Sequence, residues 1–147
     1  MSEALRISPA IPVSHFYEAN KDLTLGKYPF KKGDIIIANF LALGHSPEEW
    51  QRPMEILPER FDHKDPLYLR PDGKRRSTQS MAPFHGGSRV CFGKTLAEAD
   101  LKVFTTYMAQ YFDFEFENEE YMTELPLAAS GMNIRAPVWM NLKKRKD

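Results

Sequence analysis

Hydrophobic and polar residues follow no single period along this chain, and the changes of period mark its elements. Ser2 to Ile7 reads as the last turns of a helix stopped by Pro9, because the residue before a proline is driven out of helical geometry. Ile11 to Tyr17 reads as a strand. Asp22 to Phe30, with Gly26 and Pro29, reads as a hairpin, Lys31-Lys32-Gly33-Asp34 as a turn, and Ile35 to Leu41 as a strongly apolar strand. Ser46-Pro47-Glu48-Glu49-Trp50 carries a helix start: a capping serine, proline at the first helical position, then acids. From Gln51 to Gly87 the periodicity is lost. Proline and polar runs such as Asp72 to Ser80 make a connection too long for a compact domain without a functional reason. Gly93 to Phe112 is the one long helix, with Ala97, Leu101, Phe104, Met108 and Tyr111 at steps of four and three. Leu96, Val103 and Tyr107 widen that face. Phe114 and Phe116 alternate with acids as a strand does, Ala128 to Arg135 reads as a hairpin tip around Gly131, and Pro137 to Leu142 as a final strand. The pattern predicts an α+β chain with one long C-terminal helix, the end of another, small sheets and a long meander.

Composition narrows the classes. The chain has 147 residues, the size of one domain, and its 20 basic and 20 acidic side chains cancel. Nothing in that balance argues for nucleic acid or another strongly anionic partner. The basic end, Lys143 to Lys146, reads as a solvated tail. A single cysteine excludes an internal disulfide and leaves the redox compartment open. No secretory signal is visible at the start. The longest apolar runs, such as Ile35 to Leu43, reach about half of the ~20 residues a spanning helix needs, so this chain itself is not expected to cross a membrane. The share of irregular structure is high for an independent domain.

The chemistry concentrates in Pro83-Phe84-His85-Gly86-Gly87-Ser88-Arg89-Val90-Cys91-Phe92-Gly93, just before the long helix. Cys91 lies near that helix's N-terminus, where the dipole favours an anion, and Arg89 adds positive charge two residues away; both favour the thiolate. Gly86, Gly87 and Gly93 let backbone pass close to something flat or bulky. Three chemistries compete for such a site. Nucleophilic catalysis wants a nearby histidine base, and His85 is the only close candidate, without the local signatures of known cysteine enzymes. Phosphate binding is suggested by Gly93-Lys94-Thr95, but Ser88 stands where a P-loop needs its first glycine and no apolar strand precedes it. The third is ligation of a haem iron by one thiolate.

For the third, the residues carry a close resemblance. Phe84, Gly87, Arg89, Cys91 and Gly93 match every fixed position of the haem-binding signature of the cytochrome P450 family: Phe, two residues, Gly, any, Arg, any, Cys, any, Gly. Glu3-Ala4-Leu5-Arg6 resembles the Glu-x-x-Arg of the family's K helix, and Pro58-Glu59-Arg60-Phe61 the segment that adds a second arginine. Gly33 to Ile37 and His45 to Trp50 resemble the intervening strand and short helix, and Leu96-Ala97-Glu98 with Asp100 the start of its L helix. The resemblance covers essentially residues 1–147, taken as one partial domain. It implies the C-terminal portion of the cytochrome P450 fold, mostly α in the full-length family.

What the resemblance implies is specific. Cys91 would be the axial thiolate of haem b and the iron's only protein ligand. Phe84 would shield the sulfur, Gly87 and Gly93 would shape the loop, and Arg89 would pair with a haem propionate. His15, nine residues beyond Arg6, lies close to where the family places a second basic propionate partner; a plain strand histidine is the alternative. Glu3, Arg6 and Arg60 would form a buried carboxylate–guanidinium network, rather than an exposed helix-surface pair, that locks the meander. Ile11, Pro12, Val13 and Ser14, with Ser130, Gly131 and Met132, would edge the substrate pocket or be ordinary strand and turn packing. The implied activity is that of a haem-thiolate monooxygenase, placing one atom of O2 in a small, lipophilic organic substrate with electrons from a reductase or ferredoxin. No catalytic residue of that reaction is expected within this stretch. The family's I helix, with its acid–alcohol pair, would lie upstream, as would any N-terminal anchor that set an endoplasmic-reticulum location. An inactive haem-binding fragment is therefore the second reading. A haem-thiolate isomerase or dehydratase is the third, against which the unbroken cysteine motif argues. Leu57 replaces the family's usual phenylalanine before Pro58, and His85 and Ser88 replace commoner loop residues; none is a fixed position.

Overall fold

The computed structural model describes residues 1–118, 127–130, 133–135 and 138–145. The chain divides into two compact units, Glu3–Pro83 and Phe84–Asp147 together with Met1–Ser2.

The Glu3–Pro83 unit opens on helix α1, Ser2–Ile7, which stops where Pro9 requires. Four short strands follow: β1, Tyr17–Glu18; β2, Leu23–Leu25; β3, Tyr28–Phe30; and β4, Ile35–Ile36. β2 and β3 form the expected hairpin, pairing Leu23 with Phe30 and Leu25 with Tyr28. Gly26 takes the left-handed backbone that its tight turn demands, at φ 58°. Asp22 closes the hairpin's base, accepting from Lys31 Nζ and from the Lys32 amide. β1 pairs antiparallel with β4, Tyr17 opposite Ile36.

Two strands expected from apolar runs are shorter than predicted. Over Ile11 to Tyr17 the chain makes only a single bridge, Val13 to Asn39, before β1. Ser14 is the reason: its hydroxyl takes the Ala38 amide and donates to the His15 carbonyl, so side-chain bonds replace a backbone ladder. The run from Ile35 to Leu41 leaves the sheet after Ile36 and becomes helix α2, Phe40–Gly44. Asn39 caps it, accepting from the Ala42 amide at 2.9 Å, and an N-cap beside leucine and alanine outweighs the strand preference of the isoleucines before it. Ser46 to Trp50 winds one turn, with the Glu49 and Trp50 amides on the Ser46 carbonyl. It stops because Arg52, before Pro53, adopts a left-handed φ of 46°.

The aperiodic stretch is ordered without a ladder. Short 3-10 turns at Pro58–Phe61 and Pro66–Tyr68 each begin on proline. Asp62, Asp65 and Asp72 each accept from an amide two residues on, making local turns. Trp50, Ala19 and Phe40 form the small apolar interior, while Arg60 and Arg6 are the largest side chains that are fully buried.

The second unit holds the 3-10 turn Gly87–Arg89 and helix α3, Lys94–Tyr111, within one residue of its predicted span. No residue of α3 is buried, so the apolar face read from the spacing is real as a helical pattern but uncovered. β5, Phe112–Phe116, follows α3 directly and pairs antiparallel with β8, Met140–Lys144, Phe114 opposite Leu142. The final strand therefore begins three residues later than Pro137. β6, Leu127–Ser130, and β7, Asn133–Arg135, make the predicted C-terminal hairpin.

Candidate functional site

Two features stand out: a buried charged network in the first unit and the cysteine loop in the second. α1 puts Glu3 and Arg6 one turn apart on the same face. The Arg6 fork grips both carboxylate oxygens of Glu3, Nε to Oε2 and Nη2 to Oε1, each at 2.8 Å. Arg60 Nε reaches Glu3 Oε1 at 3.1 Å from 57 residues away, and the Leu57 amide reaches the same oxygen at 2.9 Å. One carboxylate therefore faces two guanidinium groups, and the excess positive charge is met by backbone carbonyls. Arg6 Nη1 donates to Gly44 and Pro53 at 2.6 and 2.7 Å, and its Nη2 to Glu55 at 3.1 Å. Arg60 donates to the carbonyls of Gln51, Arg52 and Glu55. Among the described residues no buried side-chain polar atom lacks a partner.

Burial alone would raise the Glu3 pKa; the bonds from Arg6, Leu57 and Arg60 together outweigh it and hold the carboxyl below its ordinary value. Burial pushes the Arg60 guanidinium down, partly offset by Glu3. Folded Glu3 thus takes up its proton less readily than unfolded Glu3. Its contribution is full above the unfolded value of about 4.3 and is lost as pH falls through the lower folded value. Exposed Asp22 and Asp72 are also lowered, chiefly by hydrogen bonds from Lys31 and from the Lys74 amide respectively. In a chain carrying Asp22→Asn and Asp72→Asn, the urea midpoint is still expected to fall on acidification from about pH 5 to about pH 3, and this fall should vanish when Glu3→Gln is added. A midpoint indifferent to pH before Glu3 is changed would count against the network.

Sequence reasoning missed the residues that frame this network. Trp50 has two guanidinium groups within cation–π reach, Arg6 at 5.3 Å and Arg76 at 4.3 Å from its ring. Arg76 donates to the carbonyls of Arg60, Leu67 and Leu69. Trp50 Nε1 is shared between the Leu43 and Ser80 carbonyls. Gly44 sits so close against α1 that a β-carbon there would overlap the Arg6 carbonyl oxygen. A tryptophan after a helix-start signature was a usable signal; Arg76, inside a polar run, offered none.

In the cysteine loop, the Cys91 amide donates to the Phe84 carbonyl at 2.9 Å, drawing the segment into a closed bend. Within it, His85 and Gly87 both take left-handed backbone, at φ 60° and 64°. The bend leads through the 3-10 turn to Cys91, whose thiol is free and exposed two residues before the Gly93 N-cap of α3. The Lys94 amide donates to the Cys91 carbonyl, Arg89 is exposed, and Phe84 is half-buried. Of the other expected site residues, Pro12 and Ser14 are buried in the first unit, Ile11 is half-buried, and Val13 and His15 are exposed. Ser130 ends β6 opposite Asn133, and Gly131 and Met132 lie outside the described residues.

The Cytochrome P450 family profile matches residues 1–135. The rat steroid 17-alpha-hydroxylase/17,20 lyase is 35% identical over 125 residues, covering 84% of this chain and 23% of that protein. Its golden hamster (Mesocricetus auratus) counterpart is 36% identical over 120 residues, 80% of this chain and 22% of that one. A zebra fish cytochrome P450 solved with abiraterone superposes with a TM-score of 0.75 at 28% identity, covering 98% of this chain and 32% of that chain. Retinoic acid-bound cyanobacterial CYP120A1 shares the fold, with a TM-score of 0.79 at 24% identity over 97% of this chain and 31% of that one. The chain belongs to the cytochrome P450 family, a haem-binding family, and has the fold of its C-terminal portion; it spans about a quarter of the curated relatives it matches.

Proposed function

We propose that this chain is the haem-thiolate part of a monooxygenase, with Cys91 as the residue that would hold the iron of haem b. The observation that carries this reading is the exposed Cys91 thiol, presented by a closed bend just ahead of α3 in an unbroken family signature. The donor chemistry supports haem over a bare ion. A single cysteine thiol suits an iron whose remaining ligands come with a porphyrin.

Each residue then has a task. Cys91, free and exposed, would supply the sulfur that holds the iron. Arg89 would offer its fork to a propionate, His15 a second polar contact, and Phe84 an apolar surface near the sulfur. Gly87 and Gly93 keep side-chain bulk off the face where the macrocycle would lie. When bound, the haem supplies the iron at which O2 is activated, with thiolate donation favouring O–O cleavage. Glu3, Arg6 and Arg60 hold the meander.

Within the longer protein, the products would be an oxygenated lipophilic substrate and water. Ile11, Pro12, Val13 and Ser14 would edge that substrate's pocket. A steroid-like substrate is favoured by the steroid hydroxylases among the relatives. A reductase or ferredoxin would deliver electrons, and an endoplasmic-reticulum setting is part of the same proposal. A second reading, haem binding without turnover by this chain, is favoured by α3, none of whose residues is buried.

The test is the carbon-monoxide difference spectrum of the reduced chain after haem addition. A red-shifted thiolate-type band, absent in Cys91→Ser, is expected. A band that persists in Cys91→Ser would remove Cys91 from the ligand role.

A further inference from the structure

The polar run from Lys74 to Ser80 has no task in haem binding, and its side chains divide sharply. Arg76 turns inward over Trp50 and donates to three carbonyls, at 2.8 Å to Leu67, 3.0 Å to Leu69 and 2.7 Å to Arg60. Among the described residues no carboxylate pairs with it within salt-bridge distance. Arg75 stays exposed, its guanidinium engaged by no acid, carbonyl or ring among the described residues. Ser77 forms a turn: its hydroxyl accepts from the Gln79 amide and its carbonyl from the Ser80 amide, both at 3.1 Å. Thr78 rides on that turn, exposed, with its hydroxyl unbonded among the described residues. Ser80, by contrast, is buried, its hydroxyl on Glu49 at 2.5 Å and its carbonyl on Trp50 at 3.3 Å.

We propose that Thr78 is a phosphorylation site for a protein kinase that reads basic residues, and that its phosphate loosens the contacts of Arg76 and Ser80. A free hydroxyl on an exposed turn, with an unengaged arginine three residues before it, suits a kinase whose peptide groove is lined with carboxylates. In the step, Thr78 Oγ1 attacks the γ-phosphorus of magnesium-bound ATP. A new O–P bond forms as the bond to the β,γ-bridging oxygen breaks, ADP leaves with that electron pair, and the hydroxyl proton passes to the kinase's base. The new group carries close to two negative charges. Two residues from Arg76, it offers the guanidinium an anionic acceptor that competes with the neutral carbonyls now holding it. Two residues from Ser80, it adds like charge towards Glu49. Both effects act in one direction, drawing the turn away from Trp50.

The experiment is incubation of the purified chain with magnesium-ATP and the catalytic subunit of a cyclic-nucleotide-dependent kinase, followed by tandem mass spectrometry and urea unfolding. Phosphate is expected on Thr78, with none at that position in Thr78→Ala. Modification of Arg75→Ala should be at least about tenfold slower, the loss expected when one charge-assisted contact is removed. The phosphorylated chain should unfold at lower urea than the unmodified one, while Thr78→Ala itself unfolds with the parent. The proposal is overturned if the folded chain takes up no phosphate while a peptide from Asp72 to Ala82 does, or if Ser77 is the acceptor. It is equally overturned if the phosphorylated chain keeps or raises its midpoint.

Discussion

Arg60→Met is expected to unfold the Glu3–Pro83 unit or leave it barely stable. The methionine fills much of the same volume, so the loss isolates the charge and the donors. Glu3 keeps Arg6 but loses one of its two cationic partners, and the carbonyls of Gln51 and Arg52 lose theirs inside the protein. Breaking a buried ion pair from one side costs roughly 3–5 kcal/mol. Domains of this size are stable by only about 5–15 kcal/mol in total. Trp50, 2% exposed, is a built-in fluorescence probe of this unit, whereas Trp139 is already 66% exposed. Arg60→Lys is expected to recover little, because three donors on a flexible stem cannot span one carboxylate and three separate carbonyls. A loss below about 1 kcal/mol for Arg60→Met, the scale of an exposed pair, would show that the network is not what holds the meander.

Gly44→Ala is expected to be nearly as damaging, against the usual trend. In a helix, alanine in place of glycine is ordinarily worth about 0.5–1 kcal/mol in the protein's favour. Here the added carbon would meet backbone, overlapping the Arg6 carbonyl oxygen and lying 3.2 Å from its carbon. Neither atom can swing aside as a side chain would, so α1 has to move. Overpacking costs typically about 1–3 kcal/mol. The shift also stretches the 2.6 Å bond from Arg6 to the Gly44 carbonyl. Hydrogen bonds to charged groups are worth about 1.5–3 kcal/mol. The unfavourable terms win, and urea unfolding should show a loss of several kcal/mol; a Gly44→Ala chain as stable as the parent would refute the close approach.

What the sequence made legible follows from where its signals are local. The long helix was readable because α3 repeats one apolar spacing over 18 residues, and the β2–β3 turn because Gly26 needs a left-handed backbone. The cysteine loop was readable as a motif, since its geometry depends on residues within about ten positions of one another. The first two residues of α2, Phe40 and Leu41, were misread as the end of a strand: one asparagine side chain, Asn39, decides between helix and sheet there, and apolar runs look alike in both. Arg76 and Gly44 were invisible for a different reason. The bond from Arg76 to the Leu67 carbonyl spans 9 residues and that from Arg6 to the Gly44 carbonyl spans 38. A carbonyl belongs to every residue, so no residue type announces it.

The network's carbonyl bonds also bear on how this unit can form. The contacts of Arg6 with Gly44, Pro53 and Glu55 close loops of 38, 47 and 49 residues, and Arg60 to Glu3 closes one of 57. Strands of two or three residues supply little local reward before those loops close. Chain entropy is therefore lost first and recovered late, as in proteins dominated by distant contacts. Half-formed states gain almost nothing, and the unit should assemble slowly and in one step, with the two guanidinium groups among the last parts to settle.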